Sequence, residues 1–258
     1  MTSSAATARI RIAGADACPN LARLTAVELR KMVDTRAGFW LQLVVAVTTV
    51  VLVVLYGIFA DANDRTLRKT LELSLAPSSV LLPVVGILVV SSEWSQRTAQ
   101  ITFALVPNRS RVYAAKLAAG TALALVAFAV CMMVAAVGTA FAGAGSAGTW
   151  SLPLGMVGQD LLSLVTGMIG GVGFGALFLN SAPAIVANFA APTGSAALGS
   201  LSVFEGIAKW LDPTRGLAPM TEHLMSSTEW ARAGTVLALW MVLPVLVGLW
   251  RILRSEPS

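Results

Sequence analysis

The uncharged apolar stretch of residues 39–60, rich in Val and Leu, sets the strongest limit on the fold of the chain. A helix needs about 20 apolar residues to cross a hydrocarbon core of about 30 Å. Because lipid offers the backbone no hydrogen-bond partners, such a segment must satisfy its own N–H and C=O groups. The stretch therefore predicts a transmembrane helix.

Composition extends this conclusion to the whole chain. Hydrophobic residues make up 56% and charged residues only 12%, whereas about a quarter of a soluble protein is charged. Mean hydropathy is +0.77. Five further apolar runs cover residues 73–92, 117–141, 161–179, 182–203 and 233–250. The pattern predicts an all-α membrane protein with six transmembrane helices, the fifth of them diluted by Pro183, Asn188 and Pro192.

The distribution of Lys and Arg predicts the topology. With six spans and both termini on one side, that side holds twelve of the 18 Lys and Arg residues. Cytoplasmic flanks are enriched in these cations, so we expect both termini to be cytoplasmic in a multi-pass protein of the plasma (inner) membrane. The same rule accounts for the net charge of +5, and nucleic acid is not expected as a partner. Residues 1–19 are expected to be a disordered cytoplasmic tail, and residues 39–254 the transmembrane domain.

Residues 20–38 have the pattern of an amphipathic helix. Leu21, Leu24, Leu29, Met32 and Val33 share one arc of a helical projection, while Arg23, Arg30, Lys31 and Asp34 share the opposite arc. Asn20 is placed to cap this helix. Two interpretations stay open: an elbow helix that braces the first span and touches a soluble partner, or an anchor on anionic membrane lipid.

Between the second and third spans lies an inner segment, residues 93–116, that is too elaborate for a simple connector. Glu93 opposes the helix dipole at the end of its span and needs a cationic partner, and Arg97 stands four residues on. An apolar stretch follows, and Pro107 ends it before Arg109 and Lys116. The cations alone would suit phospholipid headgroups, whereas the apolar and aromatic content favours docking against protein.

These residues resemble a known pattern. Glu93-Trp94-x-x-Arg97-Thr98, a hydrophobic stretch and then Pro107-x-Arg109-x-x-Val112-x-x-x-Lys116 is similar to the inner loop of type-2 ABC permeases, the membrane subunits of bacterial exporters. Residues 24–31 with Thr35 and Arg36 resemble the segment before the first span of that family. Where many relatives have glycine before the threonine, this chain has Arg97.

The resemblance implies a mechanism. Two permeases, identical or different, would associate with two P-loop ATP-binding subunits that hold ATP and Mg²⁺. Closure of those subunits would push on the inner coupling loop, residues 93–116. The resemblance places six residues at or beside this coupling element: Glu93, Arg97, Thr98, Pro107, Arg109 and Lys116. The chain has no G-x-x-x-x-G-K-[ST] sequence, so we expect no enzymatic activity and no cofactor in it.

The fourth span carries a stripe of small residues, Gly167, Gly171 and Gly175. Such stripes let helices approach closely in lipid. The stripe is consistent with packing inside the subunit, with a dimer contact or with a substrate-lining face.

Asp160 is expected at the outer border of this span, and the absence of an acid buried mid-membrane argues against proton coupling. The sequence therefore predicts an ATP-driven exporter permease for an amphipathic or drug-like substrate. An ion-coupled secondary carrier and a membrane scaffold or assembly subunit are the alternatives.

Overall fold

The computed structural model describes residues 20–61, 64–96, 108–142, 148–201, 203 and 205–255. The described chain is helical and contains no strand. Six longer helices come first: α1 Leu21–Asp34, α2 Arg36–Phe59, α3 Leu67–Ser95, α4 Arg109–Phe141, α5 Leu154–Phe178 and α6 Ser181–Gly199. Three short helices follow, α7 Glu205–Leu211, α8 Pro213–Leu217 and α9 Pro219–Glu222. The last rod consists of α10 Ser227–Leu237, a π-helical turn Ala238–Val242 and α11 Leu243–Arg254.

Five helices are long and apolar enough to cross a membrane. They are α2, α3, α4, α5 and the continuous rod Ser227–Arg254. The expectation of an all-α, multi-pass membrane protein is confirmed at this level. Valines along α2 and α4 leave broad apolar faces exposed on the isolated chain, as expected of helices whose outer surface meets lipid or another apolar helix.

The predicted fifth span corresponds to α6, which has 19 residues but is not among the five. Serine, threonine and glycine lower its hydropathy, and Pro192 lies inside it. Ser181, at its start, borders the same cleft as Glu93, while Ser195 lies 3.5 Å from the carboxylate of Asp212 at the other end of the bundle. The helix thus runs from one end of the bundle towards the other, and its role as a sixth span stays a prediction.

Glycine determines how closely α3, α5 and α11 pack. A Cβ built on Gly171 would lie 2.7 Å from the Cα of Pro83, and one on Gly175 would lie 2.7 Å from the carbonyl oxygen of Ile87. On another face of α5, a Cβ on Gly173 would lie 2.9 Å from the backbone nitrogen of Val245 in α11. Only a missing side chain permits such approach. Helix α5 is therefore the central helix, held between α3 and the last rod.

The two ends of the bundle differ in what they bring together. At the elbow end, defined by Glu28, Glu93, Lys116 and Ile252, α1 meets α3 and α4, and Arg109 meets the last turn of α11. At the far end, defined by Arg68, Asp160 and Thr221, the short helices contact α3 and α5. The described chain begins and ends at the elbow end.

The predicted interfacial helix 20–38 is two structural units. Asn20 caps α1 as expected, its side chain accepting from the backbone N–H of Ala22 at 3.4 Å. Thr35 ends α1 and caps α2, its hydroxyl accepting from the N–H of Gly38 at 3.2 Å. Residues 36–38 therefore belong to the helix of the first span. The predicted tail, residues 1–19, lies outside the described residues.

The boundaries of the predicted coupling loop were also wrong at both ends. Glu93 lies in the last turn of α3, and Lys116 lies in the third turn of α4. Asn108 caps α4, accepting from the N–H of Arg111 at 3.2 Å, so the basic residues after it continue the helix. Arg97, Thr98 and Pro107 fall in residues 97–107, outside the described residues.

Candidate functional site

Four charged residues from three helices meet at the elbow end. We call Glu28 and Lys31 of α1, Glu93 of α3 and Lys116 of α4 the ionic cluster. The Lys116 ammonium lies 2.6 Å from the Glu28 carboxylate and 3.0 Å from that of Glu93. The Lys31 ammonium lies 2.8 Å from Glu28 and 2.7 Å from Glu93. Each cation thus contacts both anions, and the formal charge of the cluster is zero.

Three of the four side chains are buried. The side chains of Lys116, Glu28 and Glu93 are 4%, 5% and 10% exposed, while that of Lys31 is 36% exposed. Lys116 also donates to the carbonyl oxygen of Val89 at 3.0 Å. Removing one partner of such a buried pair typically costs about 3–5 kcal/mol, because it leaves a charge without compensation. The cluster therefore fixes the position of α1 against α3 and α4.

The register of α1 explains how a carboxylate comes to be buried. Leu24, Glu28 and Met32 are spaced four residues apart, so they follow one row along the helix. Met32 is fully buried in the core, and Glu28 beside it is buried with it. A carboxylate in that row needs cations from the helices that cover it, and Lys116 is the one that α4 supplies.

The carboxylates of the cluster affect the pKa of Lys31. Burial disfavours the charged form of Lys31, but the carboxylates of Glu28 and Glu93 outweigh it and raise the pKa of Lys31 above its ordinary value. Its contribution to stability is thus fully present below the ordinary lysine pKa of about 10.4 and is lost only as pH rises beyond it. Lys31 therefore keeps its charge through the neutral range.

Two of the six predicted coupling residues, Glu93 and Lys116, lie together in the cluster. The expected pair of Glu93 with Arg97 reaches outside the described residues, and among the described residues Lys31 and Lys116 provide the compensation that Glu93 requires. Arg109 lies elsewhere at the same end. Its guanidinium donates to the carbonyl oxygens of Ile252 at 3.0 Å and Ser255 at 2.6 Å, so it caps the end of α11.

Sequence reasoning missed Glu28 and Lys31 as site residues. Lys31 was placed on the polar arc of α1, whereas it turns towards Glu93. Leu21 and Val33 were expected on the apolar arc but are exposed. The available signal was the position of Glu28 between Leu24 and Met32, a lone carboxylate in the buried row.

The glycine stripe packs inside the chain. Gly171 and Gly175 face the backbone of α3, as described above, and a Cβ on Gly167 would lie 3.6 Å from the ring of Pro83, an ordinary contact. Of the three interpretations that the sequence left open, these contacts correspond to packing within the subunit. This face of α5 is covered by α3, which leaves no room there for a helix of another subunit.

A second polar site lies at the far end. Asp160 pairs with Arg68, which also pairs with Glu72 at 3.2 Å and donates to the carbonyl oxygen of Thr221. Beside it, the Gln159 amide donates to the carbonyl oxygens of Met220 at 3.0 Å and His223 at 2.8 Å. Asp160 lies near the start of α5, at the far end of the bundle, and its side chain is 2% exposed. Arg68 makes this burial possible.

In the ionic cluster each carboxylate is paired with lysine. Within the described ranges, no group of three or more His, Cys, Asp or Glu side chains is placed to hold a metal ion. What the ionic cluster can do is mechanical, because it joins the helix ends that flank residues 97–107 to the elbow helix.

No protein-family model matches the chain, and no curated protein matches it in sequence.

Proposed function

We propose that the chain is the membrane permease subunit of an ATP-driven exporter of the type-2 ABC kind. It would work beside a second permease, identical or paralogous, and with separate P-loop subunits that bind ATP and Mg²⁺. The observation that carries the proposal is the ionic cluster. Glu93 is the first and Lys116 the last residue of the resembling inner segment, and both are bound to α1.

The cluster gives the proposal a physical path. A force on residues 97–107 would reach the C-terminal turn of α3 and the first turns of α4. Because Glu93 and Lys116 share Glu28 and Lys31, these helix ends would move together with the elbow helix. A buried network with two positive and two negative members resists partial separation, since any broken contact leaves a buried charge.

The proposed location is the plasma (inner) membrane with the elbow end in the cytoplasm. Cations at this end include Arg23, Arg30, Arg36, Arg111 and Arg254 in addition to the cluster lysines. This distribution supports the orientation through the positive-inside rule. The proposed substrate is amphipathic or drug-like, and it would pass between two permeases.

Co-purification tests the partner directly. A tagged full-length chain, extracted from its native membrane in mild detergent, is expected to bring down a separate P-loop ATPase. The yield of that ATPase should survive a wash at high salt, because docking is expected to involve the apolar part of the inner segment. Purification of the chain without any ATPase would contradict the proposal.

An ion-coupled secondary carrier is the second candidate, and the buried Asp160 is the observation that favours it. Buried carboxylates inside membrane proteins often serve in ion pathways. Here Arg68 neutralises Asp160, which weakens that argument. A carrier should move substrate in vesicles that contain only this chain, and collapse of the ion gradient should stop it. The exporter should be insensitive to that collapse while ATP is supplied.

A further inference from the structure

A cleft of about 840 Å³ opens beside the ionic cluster, between the elbow, the end of α3 and the start of α6. Its wall on α3 is apolar, with Val85, Leu88 and Val89. Its polar rim carries the side chains of Lys31, Thr35, Arg36, Ser92, Ser95, Gln96 and Ser181. The volume is in the range of small-molecule sites, about 300–1,000 Å³. The lining is thus apolar on one side and polar, with cations, on the other.

Charge at the rim favours an anion. Lys31 and Arg36 face one carboxylate, Glu93, and that carboxylate is already bound by Lys31 and by Lys116 behind it. Including Glu28, the groups in and behind the cleft carry three positive and two negative charges. Within the described part of the chain, the exposed Arg36 guanidinium has no hydrogen bond or ion pair.

The backbone adds to this preference. Arg36 and Ala37 form the first turn of α2, where helix N–H groups lack intrahelical acceptors and the helix dipole is positive. Ser181 starts α6 at the opposite side of the same cleft, so a second helix N-terminus lies nearby. These termini assist the cations and do not make the site by themselves.

We propose that this cleft binds one anionic phospholipid from the leaflet at the elbow end. The headgroup phosphate would lie between Arg36, Lys31 and the first turn of α2, and an acyl chain would follow Leu88 and Val85 towards the bilayer. The lining is amphiphilic and therefore favours a lipid, because a soluble anion would make no favourable contact with the apolar wall. The cleft is separate from the glycine contacts between α3 and α5. It would be present whether or not the chain works with an ATPase.

The test is native mass spectrometry of the full-length chain in detergent, titrated with phosphatidylglycerol or with phosphatidylcholine of the same acyl chains. We expect tighter binding of phosphatidylglycerol. Arg36→Gln should weaken that binding about tenfold or more, since a hydrogen bond to a charged group contributes about 1.5–3 kcal/mol. Phosphatidylcholine binding should change less.

Arg30→Gln is the matched control. Arg30 is a cation of the same elbow helix, but its side chain is 83% exposed and does not line the cleft. It should bind phosphatidylglycerol as the wild type does. Equal losses in Arg30→Gln and Arg36→Gln, or no headgroup preference at all, would overturn the proposal, because either result describes general attraction to a basic surface.

Two further arms separate a lipid from other occupants. Leu88→Trp places a larger side chain on the apolar wall, so it narrows the cleft and should lower the affinity for phosphatidylglycerol. An unchanged unfolding temperature would show that this variant folds correctly. Excess inorganic phosphate should fail to displace the lipid. Displacement by phosphate, or full binding by a correctly folded Leu88→Trp variant, would show a site for a soluble anion and would refute the lipid.

Discussion

At the scale of single residues, the important feature is that Glu28 and Lys116 are buried together. Glu28 lies in a row of otherwise apolar side chains, and Lys116 lies eight positions into a span helix. Neither position is favourable for a charge alone. Each is tolerable because the other is there, and because Lys31 and Glu93 complete the set.

A double-mutant cycle measures this dependence. Glu28→Gln alone and Lys116→Met alone should each lower the unfolding free energy by about 3–5 kcal/mol, because each leaves a buried charge uncompensated. The double variant keeps the pair Lys31–Glu93 and should lose clearly less than the sum of the single losses. Reversible unfolding in mixed micelles supplies the free energies.

The pair Arg30–Asp34 provides the control for that cycle. It belongs to the same helix, but its atoms are 3.8 Å apart and its side chains are 83% and 67% exposed. Its removal should change stability very little. Additive losses in the cycle of Glu28 and Lys116 would show that the cluster is not cooperative. Losses as small as those from removing the Arg30–Asp34 pair would show the same.

Glycines of α5 allow a second comparison of near neighbours. Gly171→Ala would place a Cβ 2.7 Å from the Cα of Pro83, so α3 must shift, at a cost of about 1–3 kcal/mol or more. Gly167→Ala meets only the Pro83 ring at 3.6 Å and should be neutral or slightly stabilising. Thermal unfolding of the two variants measures this difference in stability. Equal effects would contradict the close packing of α3 against α5 at Gly171.

At the scale of helices, the two ends of the bundle are held in different ways. The elbow end has a network that joins α1, α3 and α4, whereas the far end has Arg68 of α3, which holds Asp160 of α5 and the backbone of α9. Gln159 of α5 adds hydrogen bonds to the carbonyl oxygens of Met220 and His223. These two polar side chains thus tie the backbone of α9 to α3 and α5.

Arg68→Gln should release the far end. It leaves the carboxylate of Asp160 buried without its cation, which we expect to cost about 3–5 kcal/mol. It also removes the donor to Thr221, so amide hydrogen exchange should rise in residues 213–225. Lys69→Gln is the matched control, since the neighbouring Lys69 side chain is 63% exposed and lies 3.6 Å from Glu72. Unchanged exchange in Arg68→Gln would show that other contacts hold this segment.

At the scale of the whole molecule, local patterns predicted most helices and few of the contacts between them. The apolar runs located the candidate spans, and Asn20 indicated where α1 begins. Helices began earlier than the apolar runs wherever a polar cap such as Asn108 or Thr35 allowed it. Hydropathy indicates which residues can contact lipid. A cap residue instead bonds the free backbone N–H groups of the first helical turn, so hydropathy alone does not show where a helix begins.

Contacts distant in sequence were out of reach for a physical reason. Among the described residues, Glu93 pairs with side chains 62 and 23 positions away, and Asp160 pairs with one 92 positions away. A charge pattern shows that a partner is needed but not which helix supplies it. The same reason explains Arg109, which was expected beside the coupling element and also caps the end of α11. Substitution of Arg109 would therefore disturb that helix end before it reported on coupling.

We predict that the ionic cluster transmits the action of the proposed ATPase subunit to the membrane helices. The measurement is the ATP hydrolysis rate of the partner subunit, alone and with the chain reconstituted in vesicles. The comparison uses wild type, Glu28→Gln/Lys116→Met and the exposed control Arg30→Gln. We predict that all three bind the partner, and that wild type and Arg30→Gln change its rate while the double variant does not. An equal effect of all three on the hydrolysis rate would contradict the account.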